Sequence, residues 1–153
     1  MKKCFTVVAL LSAAFLTTQA RAASNFSGEW KLNLAKSDYG PIQHFAPELM
    51  VRTIKHEDPA LQISTHQKGA QGEVTTDLKY TTDGKPSENK GSKGTAKWDG
   101  DKLVVDSIRD VQGTEIKSHD VWVLSADGKT LTVNSHLGTA QGDFDILIVF
   151  DKQ

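Results

Sequence analysis

From Phe26 onward apolar residues recur at alternate positions in short runs, and no stretch sustains the 3.6-residue spacing of an amphipathic helix. The runs, rich in Val, Ile, Thr, Tyr, Phe and Trp, fall at 26–33, 48–56, 61–67, 73–81, 92–98, 102–109, 114–124, 130–137 and 143–151. They predict an all-β chain of eight or nine strands. Asp58-Pro59, Asp83-Gly84, Asp99-Gly100 and Asp127-Gly128 stand between runs. Asp-Gly favours tight hairpins because glycine takes positive φ without strain, so consecutive strands should pair antiparallel. A sheet of this size tends to close and so remove its edges. A single antiparallel up-and-down β-barrel is therefore expected, with a two-sheet sandwich as the alternative. One connection, 34–47, is long and broken by Ser37-Asp38-Tyr39-Gly40-Pro41, which makes it a candidate lid.

Alternation also predicts which side chains line the interior. The inward sets are Val74, Thr76, Leu78 and Tyr80; Ser92, Gly94, Ala96 and Trp98; Leu103, Val105, Ser107 and Arg109; and Ile116, Ser118, Asp120, Trp122 and Leu124. Met50, Arg52 and Ile54 are preferred over Leu49, Val51 and Thr53, whose face also carries Lys55. Leu131 and Val133, then Phe144, Ile146, Ile148 and Phe150, complete the lining. The last run also holds Leu147 and Val149 on its other face, which predicts cover by a loop or by a second copy of the chain.

The first residues change the picture of where this barrel works. Met1-Lys2-Lys3 is a positive start, Phe5 to Thr18 is apolar, and Ala20-Arg21-Ala22 has the small-x-small form of a cleavage site. Residues 1–22 read as a signal peptide cut after Ala22, leaving 23–153 as one barrel domain that is periplasmic or secreted, with no membrane insertion. The apolar run is shorter than the roughly 20 residues of a spanning helix. Cys4, the only cysteine, leaves with the leader, so no disulfide can form. Lys2, Lys3 and Arg21 leave too, and 15 basic residues then face 19 acidic ones, a net charge of −4. That scattered, slightly acidic balance argues against a nucleic-acid partner.

Gly28-Glu29-Trp30 resembles the G-x-W signature of the lipocalin and wider calycin group, in which the tryptophan closes one end of the barrel. Val149-Phe150-Asp151-Lys152 is similar in placement to the group's last strand, where a basic residue packs across that tryptophan. The resemblance implies structural roles for Gly28, Trp30 and Lys152, with a cation–π contact worth about 0.5–1 kcal/mol. The segments around Asp83-Gly84, Trp98-Asp99-Gly100 and Asp127-Gly128-Lys129 also resemble a set of small exported bacterial lipocalin-like proteins.

Among candidate chemistry, the arginines stand out. Beyond the leader the chain has thirteen lysines but only Arg52 and Arg109, both on predicted inward faces. Arginine's planar fork suits recognition of a carboxylate or phosphate in a low-dielectric site, whereas lysine prefers hydration outside. One reading is that Arg52 and Arg109 hold the acidic head of an apolar ligand whose body lies against Tyr80, Trp98 and Trp122. The competing reading is a structural salt bridge to Asp120. Ser118-His119-Asp120 names a hydrolase triad, but on a strand His119 points away from both neighbours. The five histidines lack the i, i+2 or i, i+4 spacing of a metal site, and neither a metal nor a cofactor is expected. His119 and His136 could nonetheless be cross-strand neighbours outside the barrel. The expected function is an exported, non-enzymatic barrel holding a small apolar or weakly acidic molecule. The alternatives are an interaction or inhibitor module with a filled barrel and, third, an enzyme using Asp120 as acid or base. The last strand is the candidate surface for a homodimer.

Overall fold

The computed structural model describes residues 24–70 and 72–153; the expected leader, 1–22, lies outside the described residues. The described residues form ten strands in one antiparallel sheet that curls into a nearly closed barrel. They are β1 (Gly28–Leu32), β2 (Leu49–Glu57), β3 (Ala60–Gly69), β4 (Gly72–Thr81), β5 (Ser87–Asn89), β6 (Ser92–Asp99), β7 (Lys102–Val111), β8 (Thr114–Leu124), β9 (Thr130–Thr139) and β10 (Gly142–Lys152). The sheet order is β4-β3-β2-β1-β10-β9-β8-β7-β6-β5, so neighbours are consecutive in sequence except at the β1–β10 junction. Ten strands replace the expected eight or nine because the three-residue β5 is too short and polar to show a pattern.

The sheet's two outer strands, β4 and β5, meet without a continuous ladder. The Asn89 side chain bridges them instead, accepting from Lys79 N at 2.7 Å and donating to Lys79 O at 3.1 Å, as a peptide group would. Asp83-Gly84 does not turn a tight hairpin into the next strand, contrary to expectation. Asp83 pairs with Lys97, and Gly84 N donates to Ala96 O at 2.9 Å, tying the end of β4 to β6. The barrel is thus laced shut at this end and splayed at the other.

Aromatic side chains fill the laced end. Trp30, fully buried, donates from Nε1 to Phe26 O at 2.8 Å. The Phe26 ring stacks on Trp98 at 5.8 Å and meets Trp122 edge-on at 5.7 Å. Asp58 pins the rim: its carboxylate accepts from Thr82 Oγ1 and from Trp98 Nε1. Across the outside of this plug, Lys152 Nζ stands 5.2 Å from the centre of the Trp30 ring. Gly28 has φ of +138°, and a Cβ there would come within 2.7 Å of Lys152 Cε, so both backbone and space favour glycine.

The 34–47 connection does two jobs. Residues 33–38 run beside β10 where β1 has ended: Asn33 N donates to Val149 O, Asp38 pairs with Leu147, and Val149 N donates to Ser37 Oγ. This loop covers Val149, which is buried. The 3-10 turn Gly40–Phe45 then leans over the splayed end, with Tyr39 buried and Ile42 and Ala46 packed on the core.

Candidate functional site

The laced end is filled by Phe26, Trp30, Leu61, Leu103, Leu131 and Phe150, all fully buried. Above them the inward side chains become shorter and more polar: Thr65 and Gln67 on β3, Ser107 on β7, Ser118 on β8 and Ser135 on β9. Close packing therefore gives way to a chamber of about 300 Å³. It continues into an outer vestibule of about 800 Å³ toward the splayed end, with Gln67, Thr76, Leu78, Ser107 and Arg109 on the wall of both. Such dimensions suit a small organic molecule.

Arg52, Tyr80, Arg109, Asp120 and Trp122 all line this chamber. Trp98 does not: it shares their inward parity but sits lower, in the plug, stacked on Phe26 and bonded to Asp58. Alternation assigns a face, whereas height along the strand decides whether that face meets packed atoms or open space. Tyr39, absent from the sequence-based set, belongs to the lining and enters from the loop, where no alternation signals it. Gly28, Trp30 and Lys152 lie at the laced end, away from the chamber.

Several of the chamber's polar groups pair with one another, Ser107 with Ser118 at 2.9 Å among them, and others are left without a partner. The Arg52 guanidinium carbon lies 5.2 Å from the Trp122 ring centre and 4.8 Å from that of Phe150, and its Nε donates to Thr65 Oγ1 at 3.3 Å. Burial holds its pKa below the usual arginine value, opposed by the charge of Asp120. Asp120 accepts a 2.5 Å hydrogen bond from Ser135 Oγ. Burial raises its pKa despite that bond and despite the attraction of Arg52 and Arg109. The two guanidiniums act on Asp120 through space, and among the described residues neither forms a direct ion pair with it. The closed structural salt bridge of the competing reading is not made.

Two further groups are left over. Tyr39 Oη and Trp122 Nε1 are buried with no hydrogen-bond partner, and both residues line the chamber. Burial pushes the Tyr39 hydroxyl up to about 12, so it stays a donor at any physiological pH. A buried donor without a partner costs roughly 1–3 kcal/mol, which a ligand acceptor or a water would recover. The chamber thus offers two cations, two free donors and one protonatable carboxyl among mixed polar and apolar walls. No imidazole lines it to act as a base: His119 projects outward from β8 and bonds Asp106, so Ser118-His119-Asp120 makes no triad.

Neither protein-family models nor curated protein sequences give a match to this chain. Solved structures do match its fold. The zebrafish ileal bile acid-binding protein complexed with cholic acid aligns with a TM-score of 0.56 at 20% identity, over 84% of this chain and 98% of that one. The REP1-NXSQ fatty acid transporter aligns with a TM-score of 0.61 at 15% identity, over 86% and 98%. A secretory abundant heat soluble protein from Ramazzottius varieornatus aligns with a TM-score of 0.57 at 13% identity, over 87% and 98%. At these identities the likeness establishes the architecture.

Proposed function

Taking the chain as a lipocalin-like barrel of the calycin type, we propose that it is an exported, non-enzymatic carrier for a small amphipathic acid. One observation carries this reading. Arg52 and Arg109 face a cavity with no direct ion-pair partner among the described residues, beside the unpartnered donors of Tyr39 and Trp122. Arg52 is half-buried and Arg109 is exposed toward the vestibule, and two cations converging on one cavity without an ion-pair partner are complemented by an anion that arrives with the ligand. The carboxylate sits between the two guanidiniums, and the apolar body extends past Tyr80 and Leu78 into the vestibule. Loop residues Tyr39, Ile42 and Phe45 form its lid. That two of the similar folds are a bile acid-binding protein and a fatty acid transporter supports this class of cargo. The leader-like residues 1–22 support a carrier that works in the periplasm or outside the cell.

The test is native mass spectrometry of the protein purified gently from its own cell envelope. The expected spectrum shows one discrete added mass that disappears on denaturation and belongs to a carboxylic acid. A bare protein that also shows no shift with a panel of fatty and aromatic acids refutes the carrier and favours an interaction module with an unused cavity.

A further inference from the structure

The outer face of the barrel carries a second constellation, independent of the chamber. In the register of the sheet, Asp106 on β7 stands opposite His119 on β8, His119 opposite His136 on β9, and His136 opposite Asp145 on β10. The result is an Asp-His-His-Asp row running straight across four strands. Its two ends are closed by short contacts: His119 Nδ1 to Asp106 Oδ1 at 2.6 Å, and His136 Nδ1 to Asp145 Oδ1 at 2.7 Å. An ionised carboxylate only accepts, so in each contact the ring must donate from Nδ1. The neutral ring then presents its Nε2 lone pair.

The direction of these lone pairs matters as much as their existence. The two ring nitrogens of an imidazole point nearly opposite ways. His119 is tied on the β7 side and His136 on the β10 side, so in both rings Nδ1 is engaged and Nε2 is the nitrogen left to meet an ion. His119 Nε2 has no hydrogen-bond partner among the described residues. A third donor stands close by. Asp143 bends over β9 at Gly138, where a Cβ would come within 3.3 Å of its Oδ1, and its Oδ2 lies 4.0 Å from His136 Nε2. Lys117, the nearest cation on β8, is turned to Glu115 at 3.5 Å.

We infer that His119 and His136, each oriented by its carboxylate, form a surface site for a divalent late transition ion, with Zn²⁺ or Cu²⁺ as the class of ligand. Carboxylate–histidine pairs of this kind fix the tautomer and raise the basicity of a metal-binding ring. Cross-strand partners have Cβ atoms about 4.5–5.5 Å apart, which lets two imidazoles reach one ion at bonds of about 2.0–2.1 Å. Among the described residues no three such donors already converge. The pair is therefore completed by water or by rotation of the exposed Asp143 carboxylate onto the ion.

The full protein, carrying no histidine tag, is titrated with ZnCl₂ by calorimetry, and its His Nε2 resonances are followed by NMR. One equivalent is expected to bind and to shift both Nε2 signals. His119→Gln and His136→Gln each weaken it at least tenfold. Asp106→Ala or Asp145→Ala weakens it roughly 10- to 100-fold, and Lys117→Ala does not weaken it. Circular dichroism and melting without metal confirm that the variants are folded, and Zn²⁺ raises the melting temperature of the parent but not of His136→Gln. No binding up to about 1 mM Zn²⁺ overturns the site, as does binding that survives both histidine substitutions.

Discussion

Replacing Arg52 with Met distinguishes a ligand anchor from a structural cation, and the structure sets the expected size of each effect. The substitution removes two cation–π contacts, about 0.5–1 kcal/mol each, and one hydrogen bond to Thr65 of about 1 kcal/mol. Against that loss of about 2–3 kcal/mol stands relief of a half-buried charge that has no direct ion-pair partner, a penalty of about the same size. Methionine's unbranched apolar chain refills most of the space. Asp120, losing one favourable neighbour, takes up a proton more readily. Urea unfolding followed by tryptophan fluorescence should therefore give a stability within about 1 kcal/mol of the parent. Binding of a fluorescent fatty acid, by contrast, loses charge-assisted hydrogen bonds of about 1.5–3 kcal/mol and should weaken about 10- to 100-fold. Had Arg52 been half of a closed buried ion pair, its removal would instead cost about 3–5 kcal/mol. A loss of that size with unchanged fatty-acid affinity refutes the anchor.

Asp120→Asn should stabilise the ligand-free protein at pH 7. The folded carboxyl holds its proton above the ordinary value of 3.8, so its contribution is favourable in acid and is lost as pH rises through the folded pKa. The urea midpoints of parent and variant should accordingly converge below about pH 4, and a variant equally destabilised at both pH values contradicts the assignment. Tyr39→Phe deletes an unpartnered buried hydroxyl and should raise ligand-free stability by about 1 kcal/mol while weakening fatty-acid binding. Lower stability in calorimetric melting would show that the hydroxyl has a partner in solution. Gly94→Ala brings a Cβ within 2.2 Å of Asp106 O across the β6–β7 ladder. That collision with backbone should cost more than about 2 kcal/mol in the same melt, and a neutral result would mean that the two strands separate easily.

Much of this barrel is written in period-two alternation, and some of it cannot be. Met50, Arg52 and Ile54 face inward because one residue, Lys55, marks the opposite face as the wet one, and the neighbouring ladders enforce that parity along the strand. Arg52, Arg109 and Asp120 were likewise legible as inward polar residues on otherwise apolar faces. The chamber's depth was not. Trp98 and Trp122 share a face rule, yet one fills the plug and the other borders open space, because that depends on where ten strands place their short side chains relative to one another. Tyr39 comes from a loop, and Ser87–Asn89 pairs over only three residues; neither leaves a periodic trace. Asp83-Gly84 carries hairpin chemistry, but the seam draws it to β6, a long-range choice that no local motif encodes.

The junction between β1 and β10 sets the order in which this molecule can assemble. Each remaining ladder joins neighbours in sequence, and such local pairs form early because little loop entropy opposes them. The pairing of Trp30 with Lys152 and of Leu32 with Phe150 instead spans nearly the whole chain, and it unites two separate stacks of hairpins into one sheet. The eleven residues of β10 follow the other nine strands in sequence. Until they dock, β1 lacks one of its two partners, Trp30 lacks the Lys152 that crosses it, and the plug beneath the chamber lacks Phe150. A sheet built this way stays unlatched until that one long-range closure is made, and closures of such sequence separation are the slow kind.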